Sequence, residues 1–248
     1  MIKNLSVSVA MTTFNGERYV SWQIRSIVSQ LGVEDELIIA DDGSTDQTLK
    51  ILNQFATEDN RIKILTSNGL GIVKNFEKAI SECTNDLVFL SDQDDVWTSH
   101  KVKVIKETFR QEDVTLVMSD LVVVDQDLET VNESYMKLRG CSTGILRNIV
   151  RNGYVGCALA FRRELKEMIL PFPKGIPMHD QWIGILSEVF GRARMIEDKL
   201  VLYRRYGDNV TSLTSKSSIV KKIGWRLSLC YYLVGRKYRK RAHKGENH

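Results

Sequence analysis

What is missing from this sequence already excludes several kinds of protein. Cysteine is scarce: Cys83, Cys141, Cys157 and Cys230 stand far apart with no Cys-x-x-Cys pair. Neither a thiolate zinc site nor a disulfide framework is indicated, and reduced thiols are expected. No apolar run approaches the roughly 20 residues that span a bilayer, and the stretch Leu5–Met11 is too short for the apolar core of a secretion signal. A cytoplasmic protein is therefore expected, with the inner face of the membrane within its reach. Glycine-rich phosphate loops are absent too: no G-x-x-x-x-G-K-[ST] or G-x-G-x-x-G occurs, which argues against a P-loop kinase or a dehydrogenase. Proline is confined to Pro171, Pro173 and Pro177, which mark a single loop just ahead of His179. There is no internal repeat.

What is present is a globular composition. With 248 residues, 43% hydrophobic and 27% charged, the chain can bury one core and carry an appendage. The net charge of +4 conceals an asymmetry, because residues 214–248 hold ten lysines and arginines against the single acid Glu246. The body before them is therefore acidic and the tail basic, a pattern suited to anionic partners such as phospholipid headgroups or nucleic acid.

Strand and helix patterns alternate through the first hundred residues. Leu5–Met11, Leu37–Ala40, Arg61–Leu65 and Leu87–Leu90 read as strands. Between them, Tyr19–Gln30, Thr45–Ala56 and Val73–Cys83 carry apolar residues at helical spacing. Alternation of this kind predicts an α/β fold with a mostly parallel sheet covered by helices. Beyond Trp97 the pattern predicts a helix to about Arg110, a strand over Thr115–Val124, a strand around Val155–Phe161 and a helix over Trp182–Phe190. Residues 1–97 read as a nucleotide-binding half, 98–213 as the half that receives a second substrate, and 214–248 as a helical basic extension.

In such sheets ligands bind beyond the carboxyl ends of the strands, and polar clusters stand there. Thr12-Thr13-Phe14-Asn15 follows the first strand, Asp41-Asp42-Gly43-Ser44 the second, Ser67-Asn68-Gly69 the third and Ser91-Asp92-Gln93-Asp94-Asp95 the fourth. The second cluster is also ordinary turn chemistry, with Ser44 or Thr45 capping the next helix, and Asn68-Gly69 is a common turn. The fourth differs, because three carboxylates within four residues repel one another at the end of a buried strand. A cation resolves that cost, and oxygen ligands favour Mg2+ or Mn2+, held by one or two carboxylates plus substrate phosphates. Such a cation would bridge the phosphates of a nucleotide donor and neutralise a departing diphosphate. A solvated acidic turn is the bland alternative. Asp180, in His179-Asp180-Gln181-Trp182, is either a helix N-cap or a carboxylate placed to deprotonate an acceptor hydroxyl. His179 could tune it, replace it or ligate the metal. Arg204 and Arg205 suit a diphosphate, or a basic surface turn.

Taken together, these segments resemble glycosyltransferase family 2, the inverting GT-A (Rossmann-like) enzymes, and within it bacterial rhamnosyltransferase-like enzymes of surface polysaccharide synthesis. The residues that carry the resemblance are Met-Thr-Thr-Phe-Asn-Gly at 11–16, Ala-Asp-Asp-Gly-Ser-Thr-Asp at 40–46 and Ser-Asp-Gln-Asp-Asp-Val-Trp at 91–97. His-Asp-Gln-Trp at 179–182 and Tyr-Arg-Arg-Tyr-Gly-Asp-Asn-Val-Thr at 203–211 complete the order. The resemblance implies that Thr12, Phe14 and Asp42 meet the nucleotide, with Asn15, Glu17, Asn68, Asn75, Asp92 and Arg204 in the same donor site. It implies a DxD pair, Asp92 and Asp94, with Asp94 the metal ligand and Asp95 and His179 nearby as further ligands, and Asp180 as general base. The donor would be a UDP- or dTDP-sugar and the acceptor a glycan or lipid-linked glycan. The Gln-x-x-Arg-Trp motif of the processive members is absent, so transfer of one sugar is expected.

Two rival readings stand beside this one. A metal-dependent nucleotidyltransferase would need a glycine-rich basic loop near the N-terminus, which Thr13-Phe-Asn-Gly16 does not supply. A nucleic-acid binder would rest on the tail alone, without a recognition motif and beside an acidic body. In the tail, Ile219, Val220, Ile223, Leu227, Cys230 and Val234 fall at helical spacing among basic residues. They read equally as a helix lying in a membrane interface or as one packed on the catalytic body.

Overall fold

A computed structural model describes residues 5–111, 113–205 and 224–236. The first half alternates as expected: β1 (Val7–Thr13), α1 (Val20–Val28), β2 (Glu36–Asp41), α2 (Thr48–Glu58), β3 (Ile62–Thr66), α3 (Ile72–Glu82) and β4 (Leu87–Ser91). There follow β5 (Val96–Trp97), α4 (Lys101–Thr108), β6 (Val114–Val124), β7 (Thr130–Asn132), α5 (Tyr135–Arg139) and α6 (Ile145–Val150). The last elements are β8 (Leu159–Arg162), α7 (Lys166–Ile169), α8 (His179–Phe190) and β9 (Arg192–Arg204), then a helix, α9, over 224–236.

All but one of the strands lie along one path, β3-β2-β1-β4-β8-β6-β9-β5, with β7 attached to β6. β1 pairs in parallel with β2 and β4, β2 with β3, and β6 with β9, while β8, β5 and β7 run antiparallel to their neighbours. β1 lies in the middle of its half of the sheet and every residue of it is buried, because helices cover both faces of such a sheet. Its parallel neighbours therefore end at one edge, and Thr13, Asp41, Thr66 and Ser91 deliver their loops to the same place.

Three local readings are corrected. Helix α2 begins at Thr48 and neither Ser44 nor Thr45 caps it. The Ser44 hydroxyl is already used, donating to Asp41 Oδ2 at 2.6 Å and accepting the Asn15 N–H at 2.9 Å, while Asp46 takes the Thr48 N–H. The strand expected over 155–161 starts later, since Gly156–Ala158 forms a single 3-10 turn before β8. Helix α8 starts at His179, so Asp180 lies inside its first turn and not at the cap position, which belongs to Met178. Strand β9 has no counterpart in the sequence reading. Charged residues interrupt its alternation, and its register against β6 shifts at several points.

Candidate active site

The second strand end is a closed hydrogen-bond system. Asp41, fully buried, accepts the Thr13 and Ser44 hydroxyls at 2.8 and 2.6 Å and the Gly43 and Ser44 N–H groups at 3.1 and 2.8 Å. Its neighbour Asp42 accepts the Leu70 and Gly71 N–H groups at 2.7 and 2.8 Å, which fixes the β3–α3 loop. Asn15 Oδ1 accepts the Thr45 N–H at 2.9 Å, and Glu17 accepts the Gln47 N–H at 2.7 Å. Backbone amides and hydroxyls thus satisfy this loop's carboxylates.

The fourth strand end is built differently. Gln93, between the two aspartates, is half-buried and pairs with the Phe14 backbone as a strand would. Its Oε1 accepts the Phe14 N–H at 2.8 Å and its Nε2 donates to the Phe14 carbonyl at 3.0 Å. A Cβ on Gly16 would stand 2.2 Å from Gln93 Oε1, so a larger residue there would push the Gln93 amide off the Phe14 backbone. On the other side the Arg204 Nε donates to the Asp94 carbonyl at 2.9 Å and the Arg204 N–H to Asp95 Oδ1 at 3.0 Å. The guanidinium stacks 4.3 Å from the Tyr19 ring centroid. Arg204 therefore shapes the acidic loop through its backbone instead of reaching out as a surface cation.

The charge of the acidic run is left poorly balanced. Asp95 Oδ2 is buried with the Cys157 thiol as its neighbour and no conventional hydrogen bond. Burial, then Asp94 and Asp92, push the Asp95 carboxyl well above its usual range. Burial, then Asp94 and Asp180, lift Asp92 to about 7, although Asp92 keeps an opening to the cavity. The buried countercharge is Lys101, whose Nζ donates to the Cys157 carbonyl at 2.8 Å and lies 4.1 Å over the Trp97 ring. Burial lowers Lys101 to about 8, with Asp95 and Asp92 opposing the shift.

Across the cavity, Asp180 accepts from Asn152 Nδ2 at 3.0 Å and from the Gln181 N–H at 2.6 Å. Burial raises it to about 6, and these hydrogen bonds limit the rise. His179 is buried and stacked on Phe76, ring centroids 4.0 Å apart, with both ring nitrogens lacking a hydrogen bond. Burial depresses it to about 3, so the ring is neutral at physiological pH. A Cβ on Gly156 would come within 2.8 Å of His179 Nε2, so the 3-10 turn before β8 makes room for the imidazole.

These groups surround one cavity of about 670 Å³, a size suited to a small-molecule ligand. Of the expected residues, Thr12, Phe14, Asn15, Asp42, Asn75, Asp92, Asp94, His179, Asp180 and Arg204 line it. Glu17, Asn68 and Asp95 do not. Glu17 is spent on the entry to α2 and Asp95 is held behind the loop by Arg204. Asn68 lies beside the Gly43 turn. Residues 206–211 of the last motif lie outside the described residues. Sequence reading passed over Gln93, Asn152, Gly156 and Lys101. Lys101 had a signal: it occupies the buried stripe of α4 with Val102 and Ile105, where a lysine needs a reason.

The donor set fits a hard divalent cation. Asp92 and Asp94 open to the cavity as oxygen ligands, and the charges of Asp94 and Asp180 help lift the Asp92 carboxyl. Asp92, Asp95 and Cys157 each bring one candidate ligand atom to within 4.8 Å of the others. Burial keeps Cys157 a protonated thiol, which leaves the oxygens as the ligands suited to Mg2+ or Mn2+.

Comparison with known proteins gives the same outline. An uncharacterized glycosyltransferase of Nostoc sp. is 28% identical over 239 residues, covering 92% of this chain and 74% of the relative. The dTDP-rhamnosyl transferase RfbG of Shigella flexneri is 38% identical over 99 residues, 38% of this chain and 34% of that protein. Among solved structures, S. aureus TarS 1-349 in complex with UDP-GlcNAc superposes with a TM-score of 0.68 at 21% identity, covering 85% of this chain and 62% of that one. A Pyrobaculum calidifontis mannosyltransferase in complex with GDP-Man and Mn2+ gives 0.61 at 16% identity, with 96% and 64% covered. The chain thus spans somewhat under two thirds of these solved proteins, and at such identity the likeness is one of fold, GT-A. The sequence pattern of "Glycosyl transferase family 2" matches residues 8–169. With that match over most of its length and the GT-A sheet beneath it, the chain belongs to glycosyl transferase family 2.

Proposed function

We propose that the protein transfers a single sugar, with inversion, from a nucleotide-diphosphate donor to a glycan or lipid-linked glycan at the cytoplasmic side of a membrane. The observation that carries this reading is the meeting of three features in one cavity: the Asp92–Asp94 pair, the Thr12–Asn15 and Asp42 loops, and Asp180. Thr12, Phe14, Asn15, Asp42 and Asn75 hold the nucleoside part of the donor. Asp94, with Asp92, holds Mg2+ or Mn2+; Asp95 and His179 lie close by, and Asp95 acts by fixing the loop. When bound, the cation supplies charge neutralisation for the departing diphosphate.

The chain's own groups perform the rest. Asp180 accepts the proton of the acceptor hydroxyl as that oxygen bonds to the anomeric carbon, and the bond from that carbon to the diphosphate oxygen breaks on the opposite face. Asn152 holds the Asp180 carboxylate in place. Neutral His179 lines the wall beside it without competing for the proton.

The acceptor-choosing residues belong to the second half, where Val155, Gly156, Met178 and Tyr203 line the cavity. Rhamnose or a hexose is the sugar class, the former favoured by the partial likeness to RfbG. The test is release of nucleoside diphosphate from a panel of nucleotide sugars with Mn2+ or Mg2+, dTDP-rhamnose and UDP-hexoses first. Cation-dependent release from one donor is expected; no release from any donor with either cation would overturn the reading.

A further inference from the structure

Helix α9 is amphipathic in the opposite sense to an ordinary surface helix. Its docked side is clear: Leu229 is 2% exposed, and Tyr232 and Leu233 pack against the core. Both ends are clamped, Arg226 Nη2 donating to the Val150 carbonyl at 2.8 Å and Arg236 to the Leu170 and Pro171 carbonyls at 2.9 and 2.5 Å. The stripe legible in the sequence points the other way. Leu227, Tyr231 and Val234, spaced i, i+4, i+7, are 67%, 75% and 56% exposed, and Gly224, Cys230 and Gly235 are exposed around them. A helix packed on a soluble body turns charge outward; the outer face of this one carries none. The apolar surface continues onto α6, whose Leu146 and Val150 are 81% and 63% exposed and whose Val150 carbonyl receives Arg226. A contiguous apolar surface of this kind marks an interaction site.

We propose that the joint surface of α6 and α9 seats the protein on an anionic lipid bilayer. Charge selects this occupant. Neither helix contains an acidic residue, Arg147 and Arg151 are exposed beside Leu146 and Val150, and Arg226 and Arg236 mark the two ends of α9. The sequence from 214 onward adds further lysines and arginines against one acid. Apolar side chains and an aromatic ring within a basic rim suit the headgroup boundary of a membrane. A second copy of the chain is disfavoured by the same charges, because a two-fold contact would bring each arginine-rimmed patch against its own likeness.

The surface also reaches the site. Gln181 Nε2 donates to the Asn148 carbonyl at 2.6 Å, and Asn152 donates to Asp180. The segment 148–152 therefore runs from the docking surface to the carboxylate assigned to the acceptor. Its use in bringing a lipid-linked acceptor to Asp180 rests on the proposed transfer reaction; the docking itself does not.

The experiment is co-sedimentation of the full chain with phosphatidylcholine vesicles, with and without phosphatidylglycerol, at low and high salt. Binding to the phosphatidylglycerol vesicles is expected. The double variant Leu227→Glu, Val234→Glu should weaken it roughly tenfold or more, while Val131→Glu, at an exposed position on β7, leaves it unchanged. Release of nucleoside diphosphate from soluble donor, read on the same variants, shows that they fold. Absence of vesicle binding, or binding indifferent to the double variant, overturns the proposal. So does loss of self-association in the double variant with vesicle binding intact, which would assign the face to a second copy. Donor release without vesicle binding would remove the docking surface alone, and vesicle binding without donor release the transfer reaction alone.

Discussion

Two acidic loops stand at the same edge of the sheet, after β2 and after β4 on either side of the β1 loop, and they handle their charge in opposite ways. At Asp41-Asp42 the carboxylates are met by N–H and hydroxyl donors: four hydrogen bonds reach Asp41 and two reach Asp42. At Asp92-Gln93-Asp94-Asp95 the Gln93 and Arg204 side chains bind backbone, and the Arg204 N–H reaches Asp95 Oδ1. Asp95 Oδ2 stays buried without a conventional hydrogen bond. Among the described residues, no donor reaches the Asp92 carboxylate. Similar composition therefore marks a hydrogen-bonded scaffold in one loop and, in the other, carboxylates that burial raises at the edge of the cavity.

The most severe test of that difference lies across the cavity. Asp180→Asn should lower transfer by roughly 10²–10⁴-fold, the usual contribution of a general base, with donor binding nearly intact. The same variant should be more stable, because it removes a carboxyl that burial lifts from 3.8 to about 6. At about 1.4 kcal/mol per pKa unit the gain is on the order of 3 kcal/mol, read by urea unfolding at neutral pH. An active Asp180→Asn enzyme would reassign the base.

Asp94→Asn comes next, with an expected loss of about 10²–10³-fold at saturating Mn2+. Mn2+ should raise the unfolding temperature of the native chain and fail to raise that of the variant. At a hundredfold excess over Kd, ligand linkage amounts to about 2.7 kcal/mol, well within reach of calorimetry. Equal shifts in the two proteins would place the cation elsewhere.

Stability without metal separates the two loops directly. Asp41→Asn should cost about 2–3 kcal/mol, since an amide cannot accept all four of the donors that converge there. Asp95→Asn should be neutral or stabilising in chelator, because it removes a buried charge that the fold does not complete. Comparable losses in the two variants would erase the distinction between the loops.

Much of this was legible in the sequence wherever a period or a strand end carried it. The four parallel strands, the helices between them and the polar clusters at their ends follow from apolar spacing, and the clusters after β1, β2 and β4 meet in one cavity while Ser67-Asn68-Gly69 after β3 stays outside it. What spacing does not reveal is the destination of a side chain. Glu17 and Ser44 stand among donor-site residues in the chain but are spent on the turn before α2. Lys101 looks like one more surface lysine until the stripe of α4 is turned inward. Strand β9 escaped because its alternation is broken by charge and its register slips against β6. The stripe of α9 was visible as a stripe, yet periodicity cannot say which face of a helix its neighbours occupy.

The smallest effect concerns pH, and its sign differs between activity and stability. The proposed role as base requires Asp180 ionised, and its carboxyl is raised to about 6, so turnover at saturating cation should fall about tenfold per unit below pH 6. Stability should move the other way: with the unfolded value near 3.9, the folded state binds the extra proton between about 4 and 6, so acidification through that window stabilises it at this group. Asp92, lifted to about 7, adds a second signature. A bound cation must displace its proton, so apparent Mn2+ affinity should weaken as pH drops below about 7, while the turnover limb at saturating Mn2+ stays near 6. The loop after β2 supplies the control, since Asp41→Asn removes a carboxylate already satisfied by hydrogen bonds and should leave both limbs in place. Metal affinity independent of pH between 5 and 7 in the native chain would mean that Asp92 is no ligand and that Asp94 acts without it.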